Sequence, residues 1–242
     1  MRSFFLVFAL GISTAVVAAV KVEPAVTERL DDMGKYLRSL QKFEVKSDVD
    51  FEVVNQDDQK ADFKAKVTYK VQRPDKLFAD IESDAKHRQY FYDGKTFTVY
   101  SPEEKLYGTI PVKGNLAAMA RTAAEYGVEM PLADLFAWGM DKSEEKKITA
   151  ALFVKKVEEG GRAIDQFAVR QGTVDWQVWL LEGDKPLPHK FVYTVTDDPA
   201  RPDLTTKLAW DLEPQFEQAF NKFSPQKGSA KIEMRKPKKE TK

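Results

Sequence analysis

The chain has 242 residues with 38 basic and 38 acidic side chains, is 43% hydrophobic and contains no cysteine. Balanced charge gives no reason to propose nucleic acid as a partner, and the absence of thiols excludes a disulfide scaffold, so stability has to come from burial. The length suits one all-β domain, and 16 phenylalanines within a 12% aromatic share supply bulk for its core.

Met1-Arg2-Ser3 and the apolar run Phe4 to Val17 match the charged and hydrophobic parts of an export signal, and Val17-Ala18-Ala19 offers small residues for cleavage. The expectation is a signal peptide over residues 1–19 and a mature chain beginning near Val20. The run is shorter than the ~20 residues a spanning helix needs, which disfavours an uncleaved anchor, and no cysteine follows it to carry a lipid. Between Pro24 and Leu40, Val26, Leu30, Met33, Leu37 and Leu40 fall at spacings of three and four, predicting an amphipathic N-terminal helix that starts at a proline.

Strict alternation follows. Phe43, Val45, Ser47, Val49, Phe51 and Val53 are apolar or small, and Glu44, Lys46, Asp48, Asp50 and Glu52 between them are charged. A period of two gives a strand with one dry and one wet face. Phe63, Ala65, Val67, Tyr69 and Val71 repeat the pattern after the polar turn Asn55-Gln56-Asp57-Asp58, as half-solvated antiparallel sheets do. Arg73-Pro74-Asp75-Lys76 ends that strand, and further strands are expected over 77–83, 88–92, 96–100 and 106–112. Asp93-Gly94-Lys95 supplies the tight hairpin turn between two of them. Six strands on short loops make a meander.

The period then changes. Leu116, Met119, Ala120, Ala123 and Tyr126 have helical spacing in an alanine-rich stretch capped by Asn115, and Pro131 to Met140, with Leu132, Leu135 and Phe136, predicts a second short helix. Strands resume at 151–157, 163–170, 176–181, 190–196 and 205–212, punctuated by glycines, with a turn of helix expected over 214–223 and a last short strand over 230–234. Trp176 and Trp179, three apart in one strand, are expected on opposite faces, leaving one partly exposed. The tail from Lys227 to Lys242 holds seven basic and two acidic residues; a solvated, frayed end is its expected state, with weak contact to an anionic membrane as the other reading.

Catalytic and metal-binding patterns are thin. His87 and His189 lie outside any His-x-x-x-His or His-Glu arrangement and are expected to be solvated, so no metal or other cofactor is expected. Gly-x-Ser-x-Gly, Gly-x-Gly-x-x-Gly and phosphate-loop motifs do not occur, and Glu103-Glu104, Glu144-Glu145 and Glu158-Glu159 are neighbours in sequence rather than facing carboxylates. The expectation is a protein that is not an enzyme.

About eleven strands with one apolar side each exceed what stays flat, so the fold class read from the pattern is mainly β (α+β): an open antiparallel half-barrel with an N-terminal helix and a mid-chain helical lid. At ~25 cal/mol per Å² its concave side is costly to leave in water, so side chains or a ligand must cover it.

Arg73-Pro74-Asp75-Lys76, Tyr92-Asp93-Gly94-Lys95-Thr96-Phe97 and Tyr100-Ser101-Pro102, following a helix and two alternating strands, resemble the LolA/LolB-type periplasmic lipoprotein carriers. Leu187-Pro188-His189-Lys190, Ala209-Trp210-Asp211-Leu212 and Phe220 to Ile232 are similar to predicted periplasmic proteins of domain-of-unknown-function family 2092. The resemblance implies a periplasmic protein, a single LolA-like half-barrel over 20–226 followed by the basic tail, and the holding of a lipid, acyl chain, lipoprotein or apolar peptide under the lid. Leu116, Met119, Ala120, Ala123, Leu132, Leu135 and Phe136 are then the lid, facing Phe51, Val67 and Tyr69 on the sheet. The carriers latch their lid with an arginine on an early strand; here Arg73 is at a strand end and Arg88 lies one strand later. The alternative is a filled core, with the surface or tail contacting an envelope protein as an interaction or stress-sensing module.

Overall fold

In the computed structural model, the chain is described over residues 21–132, at Trp138 and over 145–237. Residues 1–20, which include the expected signal peptide, and most of the second lid helix, with Leu135 and Phe136, lie outside the described residues.

Helix α1 (Pro24–Ser39) precedes strands β1 (Lys42–Val54), β2 (Lys60–Gln72), β3 (Lys76–Ser83), β4 (His87–Tyr92), β5 (Thr96–Ser101) and β6 (Leu106–Pro111). Helix α2 (Leu116–Glu125) separates them from β7 (Ile148–Glu159), β8 (Arg162–Gln171), β9 (Val174–Leu181), β10 (Pro188–Val195) and β11 (Asp203–Asp211), and β12 (Ala230–Ile232) ends the chain. All belong to one sheet in the order β12-β6-β5-β4-β3-β2-β1-β11-β10-β9-β8-β7. Two meanders are therefore sewn together by the antiparallel pair β1–β11, in which Val45 faces Trp210 and Ser47 faces Leu208. The first and last strands in that order are edges, so the half-barrel is open.

Alternation explains the register. Phe43, Val45, Ser47, Val49 and Phe51 pair with Val71, Tyr69, Val67, Ala65 and Phe63, putting both dry faces on one side. On the other side Glu44, Asp48 and Asp50 oppose Lys70, Lys66 and Lys64, so the wet face is charge-matched across strands. The Asp-Gly turn is built as expected: Gly94 has φ +86, and the Asp93 carboxylate accepts from Lys95 N at 3.0 Å and Thr96 N at 2.8 Å.

Helix α1 lies on the dry, concave face and buries Val26, Leu30, Met33 and Leu37. These join Phe43, Val45, Tyr69, Ala79, Tyr92, Phe97, Val178 and Leu180 in one core. Trp176 is buried on this face while Trp179 sits half-exposed under Lys190, whose Nζ is 4.6 Å from the ring centroid.

Three expectations are corrected. The strand at 230–232 pairs with β6 in parallel, which a meander alone does not produce; a chain that returns to the sheet from behind is free to run either way. The run 214–223 forms turns rather than a helix, because its aromatics lie against the convex face: Phe223 packs on Phe91, Tyr100 and Tyr107 with centroids 4.9–5.3 Å apart. The tail is not frayed up to Pro237. Lys236 pairs with Glu125 at 2.6 Å and lies over Tyr126, and Met234 packs on the core above Gly108, the absence of whose Cβ leaves the room.

Candidate binding face

The concave side is where sheet, α1 and the stretch from Lys113 to Leu132 meet. Helix α2 starts at Asn115, whose side-chain oxygen accepts from Ala118 N at 3.0 Å. It buries only Met119 and Ala123, with Leu116 and Ala120 half-buried. An alanine-rich helix approaches closely but interlocks little.

Three tyrosine hydroxyls do much of the fastening. Tyr69 donates to Pro131 O at 2.6 Å, Tyr90 to Glu129 O at 2.9 Å and Tyr92 to Gly114 O at 2.8 Å. All three rings sit in the core, so each phenol needs a partner where water does not reach, and backbone carbonyls of the crossing segment provide it. Burial pushes the Tyr90 phenol up to about 12 and raises those of Tyr69 and Tyr92 as well. Neutral phenols are the form that can donate.

Two arginines act on carbonyls from the other side. Arg38 on α1 donates to Trp138 O, and Arg73 caps the end of the same helix through Leu40 O at 3.0 Å and Leu37 O at 3.4 Å. Desolvation lowers the Arg73 pKa, with Arg38 nearby adding to the effect.

Trp138 is the plug of this arrangement. Its indole stands edge-on to Trp176 with centroids 5.3 Å apart and lies across Gly34, where a Cβ would come within 2.7 Å of its Cδ1. Its Nε1 is buried without a hydrogen-bond partner among the described residues. Beside it a cleft of about 300 Å³, at the lower end of ligand-site volumes, is bordered by Thr27, Leu30, Asp31, Lys146 and Ile148.

The expected site residues fall into three groups. Val67, Tyr69, Met119 and Ala123 are brought into one buried cluster, with Leu116 and Leu132 packed on it and Ala120 half-buried beside them. Phe51, at the far end of β1, packs part-buried against the margin of the same cluster and stacks on Phe63 at 5.7 Å. Leu135 and Phe136 are outside the described residues. The centre of the concavity is occupied by the α1 side chains, so the free space lies to the side of that helix. Sequence reasoning missed Tyr90, Tyr92 and Arg38; Trp138, which it offered with the other tryptophans as a residue that could line a pocket, does border the cleft. The readable signal was a hydroxyl-bearing aromatic at alternate positions 90 and 92 of a dry strand face.

Both histidines were expected in solvent, yet both are half-buried and carboxylate-paired: His87 Nε2 is 2.7 Å from Asp80 and His189 Nε2 is 3.2 Å from Glu159. Strand pairing brings each next to an acid that sequence separation concealed. Among the described residues there is no cluster of three or more His, Asp or Glu suited to a metal ion.

The sequence profile of a family described as "Predicted periplasmic protein (DUF2092)" matches residues 27–235. No curated protein matches the chain. Among solved structures, an uncharacterized conserved protein from Thermus thermophilus is similar at 12% identity, covering 86% of this chain and 99% of its own with a TM-score of 0.48. The Mycobacterium tuberculosis lipoprotein LppX is similar at 10% identity over 80% of this chain and 98% of its own, TM-score 0.45. A LolA superfamily protein from Nitrosomonas europaea shows 9% identity over 81% and 97%, TM-score 0.36.

Proposed function

The chain belongs to the DUF2092 family of predicted periplasmic proteins, and on that premise we propose that it is an exported, non-catalytic carrier that holds an acyl chain or similarly apolar cargo against the concave face of its half-barrel. The observation that supports this reading is the way the face is closed. A strongly apolar sheet surface is covered on one side by a segment that fully buries only Met119 and Ala123 of α2, rests Leu116, Tyr126, Val128, Met130 and Leu132 part-buried on the core, and is fastened by three hydroxyl-to-carbonyl bonds.

The energies favour exchange. Burial of Met119 and Ala123 contributes ~2–4 kcal/mol, and three hydrogen bonds add ~0.5–1.5 kcal/mol each. An acyl chain gains ~0.8 kcal/mol per buried methylene, so ten methylenes offset the loss of those contacts. The cleft beside Trp138 is the entry in this reading, and the indole N–H, which has no partner among the described residues, is a donor for a carboxyl or ester oxygen at the cargo's polar end. Met119 and the alanines of α2 suit a surface that re-packs around varied cargo.

The test uses the mature protein and cis-parinaric acid, a fluorescent fatty acid, with native mass spectrometry of gently purified material as a second readout. Saturable uptake at one site, weakened by Trp138→Ala, is expected. Absence of both uptake and co-purifying lipid overturns the reading.

A further inference from the structure

We propose that the chain pairs with a second copy of itself, edge to edge, through the outer half of β7. Strand β7 is the last strand of the sheet and has a neighbour on one side only. The first half of its outer edge is already taken. Val22 bridges Ala151 in parallel, Glu23 N donates to Ala151 O at 2.8 Å, Ala151 N to Lys21 O at 3.2 Å, and Phe153 N to the Glu23 carboxylate at 3.1 Å. Beyond Phe153, the described residues give that edge no such cover, and Phe153 and Val154 are themselves exposed large hydrophobics.

What faces outward there is Lys155-Lys156-Val157-Glu158-Glu159. Charged side chains on an edge normally keep other strands away. This string attracts one strand in particular, its own reverse. With Val157 opposite Val157 of a second copy, Lys156 meets Glu158 and Lys155 meets Glu159, and the two-fold axis makes each pair twice. The faces agree as well. Lys155, Val157 and Glu159 lie on the side of Gln166 and Ile164, and Lys156 and Glu158 on the side of Asp165 and Ala163, so opposite charges meet on both. A parallel copy in register would set like charge against like.

The ends fit too. In this register Val154 lies opposite Gly160 and Phe153 opposite Gly161 of the second copy, so that copy turns away where the Lys21–Glu23 cover on Phe153 and Ala151 begins. That turn has φ of +59 and +72 and open space around both residues. The N-terminal cover and the second copy therefore use consecutive halves of one edge without collision. Lys156 also pairs with Glu182 within the chain, and Glu159 with His189; side chains this exposed can share a second partner.

The experiment is sedimentation of the mature protein over a concentration series, with two charge variants: Lys155→Glu/Lys156→Glu and Glu158→Lys/Glu159→Lys. The wild type is expected to move from one chain mass toward two as concentration rises. Each variant alone opposes like charges at all four cross-strand pairs and should self-associate more weakly, on the order of tenfold or more. An equimolar mixture of the two variants sets an all-glutamate edge against an all-lysine one, restores opposite charge at all four pairs and should recover the heavier species. A wild type monomeric throughout, variants that associate as the wild type does, or a mixture that fails to recover overturns the proposal. Circular dichroism checks that the variants fold. If either does not, amide exchange in wild-type residues 154–159 decides: slower exchange in concentrated than in dilute samples supports pairing, and equal exchange overturns it.

Discussion

Replacing Tyr69 and Tyr90 together by phenylalanine isolates the fastening of the mid-chain segment. The rings stay, so the core around Val45, Val67 and Ala79 keeps its packing, and only the hydroxyls that reach Pro131 O at 2.6 Å and Glu129 O at 2.9 Å are lost. Each such bond contributes ~0.5–1.5 kcal/mol net. Glu129 is exposed, so its carbonyl can turn to water, which places Tyr90 near the low end of that range; Pro131 is half-buried, and the fully buried Tyr69 belongs near the high end. A combined loss of ~2 kcal/mol moves the opening equilibrium of the segment about thirtyfold, since ~1.4 kcal/mol is a factor of ten. Amide exchange followed by mass spectrometry reads this directly: peptides from residues 123–132 should exchange faster by about that factor, while peptides from the centre of β1 and β2 are unchanged. Unaltered exchange over 123–132 would refute the latch. An equal rise across the whole sheet would refute it too, because the hydroxyls would then be supporting the fold rather than its cover.

Two further outcomes follow from the same residues. The phenol of Tyr90 titrates at about 12 in the folded protein, against 10.0 for an ordinary tyrosine, chiefly through desolvation. The folded state then holds its proton where the unfolded state has released it, so this contribution is complete below about pH 10 and is lost between about pH 10 and pH 12, at ~1.4 kcal/mol per pH unit. Urea unfolding should show a steeper alkaline loss of stability for the wild type than for Tyr90→Phe; parallel curves would count against the buried phenol. At Gly34, alanine raises helix propensity by ~1 kcal/mol but brings a methyl to 2.7 Å from Trp138 Cδ1 and 3.0 Å from its carbonyl, a clash of ~1–3 kcal/mol. In thermal unfolding, Gly34→Ala should therefore destabilise the wild type, and less so a Trp138→Ala background, where the ring is gone while Arg38 Nη1 at 2.9 Å and the backbone carbonyl at 3.0 Å remain. An equal change in both backgrounds would mean that the Trp138 ring is not seated on α1.

Most of the sheet was legible because its strands are long and half-solvated, which makes the period of two strong. Phe43 to Val53 and Phe63 to Val71 pair in the register their dry faces demand. The family profile bears out the resemblance carried by Leu187 to Lys190, Ala209 to Leu212 and Phe220 to Ile232. Helices α1 and α2 were readable from spacing and from Pro24 and Asn115 at their starts. The parts that sequence did not disclose are long-range polar contacts. Nothing local says that the carbonyls of residues 129 and 131 will meet phenols 39 and 62 positions earlier, or that Arg38 will reach a carbonyl 100 residues away. The aromatic strap is a similar case. Phe216, Phe220 and Phe223 at spacings of four and three read as helical, but the strands present Phe78, Phe91, Tyr100 and Tyr107 on the convex face, and covering these rings decides the conformation instead.

The contacts along the mid-chain segment are graded, and the gradient sets the direction in which it opens. At its start Gly114, at φ +132, is tied to Tyr92 through its carbonyl, and Tyr92 is held from behind by Asn221, whose amide donates to the Tyr92 carbonyl at 3.0 Å. Tyr92 is thus clamped between the cover on one face of the sheet and the strap on the other, so this end of the segment is fixed to the part of the fold with most support. In the middle, α2 is held by Met119 and Ala123 and, at its C-terminal end, by Lys236 on Glu125, an exposed pair that water and salt weaken. At the far end, Glu129 to Leu132 rest on the two phenols. In the carrier reading proposed above, opening begins at the Glu129–Leu132 end and swings about Gly114. That motion would expose Tyr69, Val67 and Met119 first, the residues that reading assigns to apolar cargo, while the charge-matched convex face and its aromatic strap stay closed.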